Sequence, residues 1–155
     1  MIIGIGNVLN GDDGAGNYVA QLVNRRLAAE KDRGEEPEIL AIDAGTAPES
    51  FTSVIRRQRP ELLVLVDAAD MGLPPGAVRL VGAERLRTPS FSTHSMPLTA
   101  LAEYVRELAG RVDIIGVQPS MMTQGQRLSS VVKEAAAKLA GVLLAGYSDE
   151  IESLE

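Results

Sequence analysis

Short apolar runs recur along this chain, each closed by a polar turn and followed by a stretch with helical spacing. Residues 2–5, 38–43, 62–67 and 112–117 are such runs and read as buried strands. Between them, Val19, Leu22, Val23 and Leu27 share one helical face, as do Phe51, Val54 and Ile55 further on. A third helix carries Leu98, Leu101, Ala102, Val105 and Leu108 inward and is stopped by Gly110. The fourth, over 129–145, presents Val131, Val132, Ala135, Leu139, Val142 and Leu143 and ends at Gly146. Residues 62–67 are the most apolar and do not alternate, which predicts a central parallel strand covered on both faces. Residues 77–81 alternate weakly and suit an edge strand. The pattern predicts an α/β fold in three layers, a doubly wound, mostly parallel five-stranded sheet flanked by helices.

The breaks carry their own signals. Residues 30–37 are charged, contain Gly34 and Pro37, and read as a solvated connector. Thr46 and Glu49 have capping-box spacing, Pro48 falls in the first turn, and Arg56, Arg57 and Arg59 suit the dipole at that helix's end. Residues 1–147 are expected to form one domain. The remainder, 148–155, contains four acids and is expected to be a flexible tail with no structural role.

The first loop departs most from a plain connector. Gly6, Gly11, Gly14 and Gly16 surround the adjacent acids Asp12 and Asp13, between the first strand and a helix starting near Asn17. Glycines permit positive φ and close approach to the backbone, and two carboxylates favour a cation there. A dinucleotide fingerprint fits poorly: Gly4 and Gly6 match its first half, but Leu9 replaces the third glycine, and the acids would repel a pyrophosphate. Asp43, ending the next strand, is the one feature that favours it, as a ribose-binding acid would. A phosphate-binding Walker loop is excluded because no Gly-Lys-Ser/Thr follows.

Composition narrows the chemistry. With no cysteine, disulfides, thiolate metal sites and cysteine nucleophiles are excluded. A net charge of −6 and only two Phe, three Tyr and no Trp argue against a nucleic-acid partner. No apolar run is long enough to span a membrane and the start lacks a basic leader, so a soluble cytoplasmic protein is expected. His94 is the single imidazole.

In doubly wound sheets the working site lies beyond the carboxyl ends of the strands. Asp13 follows the first strand, Asp43 ends the second, Asp67 ends the third, and His94 sits in a later loop, so all four are candidates. Two carboxylates with one imidazole suit a divalent ion and leave coordination positions open. Each residue also has a plain reading: Asp13 as a helix N-cap, Asp67 as turn chemistry, His94 as loop surface, Asp12 and Asp70 as solvated loop acids. Their convergence on one edge favours the metal reading. Phospho-acceptor receiver domains also gather acids at this edge. Here the acidic pair lies well past the first strand, and the last strand ends on Gln118-Pro119 with no lysine.

Five blocks, in order, resemble those of the hydrogenase maturation endopeptidases. They are Gly4-Ile-Gly-Asn7 with Gly11-Asp-Asp-Gly-Ala-Gly16, residues 42–49, residues 66–72, Thr93-His-Ser-Met-Pro-Leu98, and Gly116-Val-Gln-Pro119. The details are closest to the branch serving nickel–iron hydrogenases of the formate-hydrogenlyase or energy-converting type. The resemblance implies removal of a C-terminal extension from a hydrogenase large-subunit precursor after nickel insertion. It implies Asp13, Asp67 and His94 as metal-contacting residues, with Asp43 as a catalytic base or an orienting group. Some members carry Glu where this chain has Asp13. The implied Ni2+ is presented by the substrate, although other divalent ions can occupy such a site in isolation. A serine–histidine or cysteine–histidine mechanism is not available, because cysteine is absent and the sole histidine is assigned to the metal. The implied partner is the nickel-loaded precursor, and the protein is expected to be a monomer. A non-hydrolytic nickel-sensing module would show the same residues.

Overall fold

The computed structural model of the chain describes residues 1–34, 38–82, 85, 97–146 and 150–154. Its strands are β1 (Ile2–Gly4), β2 (Ala41–Asp43), β3 (Leu62–Ala68), β4 (Val78–Leu80) and β5 (Arg111–Val117). Its α-helices are α1 (Ala15–Asp32), α2 (Thr52–Gln58), α3 (Leu98–Val105) and α4 (Ser130–Leu144). The described strands form one five-stranded sheet in the order β2-β1-β3-β5-β4. All pairs are parallel except β4 with β5, which is antiparallel at the edge.

Residues of β3 alternate between two cores, as the pleat requires. Val64, Val66 and Ala68 face Val19, Val23 and Leu27 of α1 and Val132, Ala136 and Leu139 of α4. Leu63 and Leu65 face Ile55 of α2 and Leu98, Leu101 and Val105 of α3. A strand buried on both faces has no polar side to present, which explains the unbroken apolar run. The expected three-layer, doubly wound fold is the one observed.

The glycine pattern has a packing cause. A Cβ on Gly4 would lie 2.1 Å from Gly16 O, and one on Gly16 would lie 2.2 Å from Val66 O and 2.4 Å from Ile5 O. The start of α1 therefore rests on bare backbone at the ends of β1 and β3. What approaches these two glycines is the protein's own chain, not a ligand. Gly6 and Gly11 have positive φ, of 150° and 59°, and turn the loop toward that helix start.

Three expectations are corrected. The capping box is not formed: a 3₁₀ turn, Pro48–Phe51, starts the helical segment with Ala47 as its cap and no side-chain cap bond. Pro48 at the first position leaves Thr46 one residue too early, so only the proline part of the signal holds. The N-cap of α1 is Gly14, so Asp13 is not its cap. The third correction concerns the tail. Within it, residues 150–154 run along β4, with Leu80 N donating to Glu152 O at 2.8 Å and Leu154 N to Leu80 O at 2.8 Å. Ile151 packs on one core and Leu154 on the other. An exposed edge strand offers unpaired backbone groups, and this segment satisfies them. Residues 147–149 and 155 lie outside the described residues.

Removing residues 150–155 should therefore lower stability by about 1–3 kcal/mol, from lost edge hydrogen bonds and apolar cover. The Arg79–Glu152 ion pair at 3.1 Å adds little, because Glu152 is largely exposed. Thermal melting reads the loss directly. An unchanged melting temperature would mean that the contact contributes nothing in solution.

Candidate active site at the carboxyl edge of the sheet

Four parallel strands end on the same edge, where Asp13 follows β1, Asp43 ends β2 and Asp67 lies one residue before the end of β3. Asp13 lies in a 3₁₀ turn, Gly11–Gly14, that contacts β3. It is 6% exposed, and Asp67, near the end of β3, is 3% exposed. Two carboxylates so buried are costly to keep charged unless something answers them. Asp67 follows Leu63 and Leu65 at a spacing of two along β3 and so shares their face, the α2–α3 side of the sheet.

Asp43 is placed differently. Its strand partner is Gly4, which in turn pairs with Val66, so β1 separates it from β3. That is two strand spacings, about 10 Å. Its carboxylate turns to the α1 side, accepting from Asn17 Nδ2 at 2.7 Å, Gln21 Nε2 at 3.0 Å and Gly45 N at 3.1 Å. Burial alone would raise this carboxyl's pKa. The bonds from Asn17, Gln21 and Gly45 outweigh it and leave the value lowered. His94 and the rest of its Thr93–Ser95 block lie outside the described residues.

Asp12, read from sequence as a solvated loop acid, is 0% exposed. Its carboxylate accepts from Ser120 N at 2.8 Å, Met121 N at 3.0 Å, Ser129 N at 2.7 Å and Ser129 Oγ at 2.8 Å. Desolvation pushes its pKa up, but the Ser129, Met121 and Ser120 donors together lower it. Asp70 is exposed as expected, yet it accepts from Gly72 N and Gln118 Nε2, both at 3.2 Å. Its pKa is lowered chiefly by the Gln118 bond. Gln118 is itself buried and accepts from Met71 N at 2.6 Å and Leu73 N at 3.3 Å. It ties the loop after β3 to the end of β5.

Sequence reasoning passed over Asp12, Asn17 and Gln118. Only Gln118 carried a usable signal, a polar residue at the tip of an apolar strand. Among the described residues no group of three His, Cys, Asp or Glu side chains could hold a metal ion. Asp13 and Asp67 can supply oxygen donors, and a further donor has to come from elsewhere. A cavity of about 760 Å³, lined by residues such as Met1, Glu38, Arg59 and Leu144, opens at the opposite edge, away from these acids. No described helix is long and apolar enough to cross a membrane.

Residues 19–145 match the hydrogenase maturation protease family of the HycI type. The chain is 35% identical to the hydrogenase 3 maturation protease of Escherichia coli K12 over 136 residues, covering 87% of this chain and 82% of that protein. The solution structure of the endopeptidase HycI from Escherichia coli superimposes with a TM-score of 0.84 at 30% identity, covering 100% of this chain and 96% of that one. The [NiFe] hydrogenase maturation protease HycI from Thermococcus kodakarensis gives a TM-score of 0.76 at 33% identity, covering 93% and 88%. With its strand order, glycine-packed first helix and acids gathered on the carboxyl edge, this chain belongs to the hydrogenase maturation protease family.

Proposed function

We propose that this peptidase removes the C-terminal extension of a nickel–iron hydrogenase large-subunit precursor once nickel has been inserted. The observation that carries the reading is the pair of buried carboxylates, Asp13 and Asp67, on a 3₁₀ turn and a strand end that touch each other. Relatives described as hydrogenase 3 and [NiFe] hydrogenase maturation proteases support the choice of substrate.

In this reading the nickel belongs to the substrate. Asp13, Asp67 and His94 complete a coordination shell that the precursor has begun, which sets the scissile peptide bond beside them. Water adds to the carbonyl carbon, the C–N bond breaks, and the new amine leaves with a proton. Asp43, already engaged by three donors, acts as the orienting group: it holds Asn17 and with it the start of α1, directly after Asp13. Two carboxylates and an imidazole cannot select nickel by ligand type, since copper is favoured and zinc is comparable. Selectivity therefore comes from the loaded precursor.

The purified protein should carry little stoichiometric metal. It should cut nickel-loaded precursor without added metal and leave metal-free precursor intact at matched concentration. Mass spectrometry of both precursor forms reads the loss of the C-terminal peptide. Equal cutting of the metal-free form would remove substrate nickel as the trigger. An intact mass for the loaded form would mark a binding module instead of a protease.

A further inference from the structure

Asp12 is the most completely buried acid at this edge, and the proposed chemistry does not use it. All four of its donors come from one segment more than a hundred residues away, the loop joining β5 to α4. Backbone bonds run in parallel: Asp12 N to Met121 O at 2.8 Å, Gly11 N to Gln126 O at 3.2 Å, and Gly125 N to Leu9 O at 2.8 Å. The two loops are thereby one surface. That surface carries Leu9, 67% exposed, and Met121, 53% exposed, with Val8 and Met122 also exposed beside them. Large apolar side chains grouped in this way mark an interaction site more often than scattered ones do.

We propose that Asp12 is a positioning residue. It fixes the β5–α4 loop against the β1–α1 loop, so that Val8, Leu9, Met121 and Met122 form an apolar rim that grips the precursor chain next to the scissile bond. The inference rests on the functional reading above. The rim is continuous with the site, because the loop carrying Val8 and Leu9 runs directly into Asp13. A polypeptide laid across Asp13 passes over it. Methionines adapt to varied apolar partners, and a chain of net charge −6 gains from uncharged contacts where an acidic peptide would be repelled. Adjacent acids thus divide the work: Asp12 shapes the polypeptide-binding rim and Asp13 serves the reacting centre.

Steady-state cleavage of nickel-loaded precursor by Asp12→Asn, Ser129→Ala and the Leu9→Ser/Met121→Ser double variant tests this. Asp12→Asn turns an NH2 toward backbone donors and should release the loop. KM should rise by about 10-fold with kcat within about threefold, since a loop ordered only on binding weakens affinity. Amide exchange at Ser120, Met121 and Ser129 should quicken in the same variant. The double variant should raise KM alike with an unchanged melting temperature. If Asp12→Asn fails to fold, Ser129→Ala, which removes one donor of four, should still raise KM by a few-fold. A lower kcat at unchanged KM would place Asp12 in the chemistry and overturn the proposal. A lower melting temperature with unchanged kcat/KM at a permissive temperature would make it merely structural, and would overturn it too. Should the wild-type protein bind the loaded precursor without cutting it, the functional reading fails, and the same variants compared by Kd still decide the rim.

Discussion

Asp67→Asn and Asp13→Asn should each stop precursor processing while leaving a folded protein. Both replacements keep side-chain shape and remove one negative charge, so they test the charge and not the packing. Losing a group that merely orients a metal ligand costs 10–100-fold, so losing a donor should exceed roughly 100-fold in kcat/KM. Folding should survive because neither acid supplies apolar cover. Asp67 caps a strand already held by β1 and β5, and Asp13 is not the N-cap of α1. The melting temperature should move by a few degrees, equivalent to about 1 kcal/mol. His94→Ala belongs in the same assay, as the third donor of the proposed set. Full processing by Asp67→Asn would dismiss the carboxylate pair as the site. A collapse in melting temperature with normal turnover of the folded fraction would show that the acids are structural.

Gly16→Ala should be among the most damaging single methyl additions in the molecule. In a helix, Gly→Ala ordinarily stabilises by up to about 1 kcal/mol. At Gly16 the added carbon meets Val66 O at 2.2 Å and Ile5 O at 2.4 Å, and backbone cannot swing aside. Relief requires lifting α1 off β1 and β3, opening the core built by Val19, Val23 and Val66. We expect a loss above about 3 kcal/mol, at or beyond the upper range for overpacking and a large part of a domain's stability. Gly141→Ala supplies the control in α4, where the nearest foreign atom is Arg26 Nη1 at 3.4 Å, the end of a flexible side chain. That variant should be neutral or more stable. Melting curves for the two, measured together, separate helix propensity from steric exclusion. Comparable curves would show that α1 does not sit on β1 and β3 as described.

The two glycines illustrate how far local pattern reaches. Gly4 and Gly16 stand out in the sequence, but a glycine admits a ligand, a turn or a neighbouring helix equally well. Only the packing of α1 on the sheet shows that the visitor is the protein's own backbone. The tail is a similar case. Its four acids favour solvent, yet Ile151 and Leu154, three positions apart and so on opposite faces of an extended segment, reach two different cores once β4 offers an open edge. Composition over eight residues cannot reveal an edge formed seventy residues earlier.

By itself the sequence determined the order and type of the elements, the central place of residues 62–67, and the gathering of acids at the strand ends. Those properties follow from local periodicity, because a side chain's burial repeats with the geometry of its own helix or strand. The tertiary structure alone decided that Asp12 is buried while Asp70 is not, and that Asp43 turns toward α1 while Asp67 turns away. A carboxylate's fate depends on which donors reach it. For Asp12 those donors arrive from residues 120–129, brought there by the pairing of β5 with β3 and invisible to any local pattern.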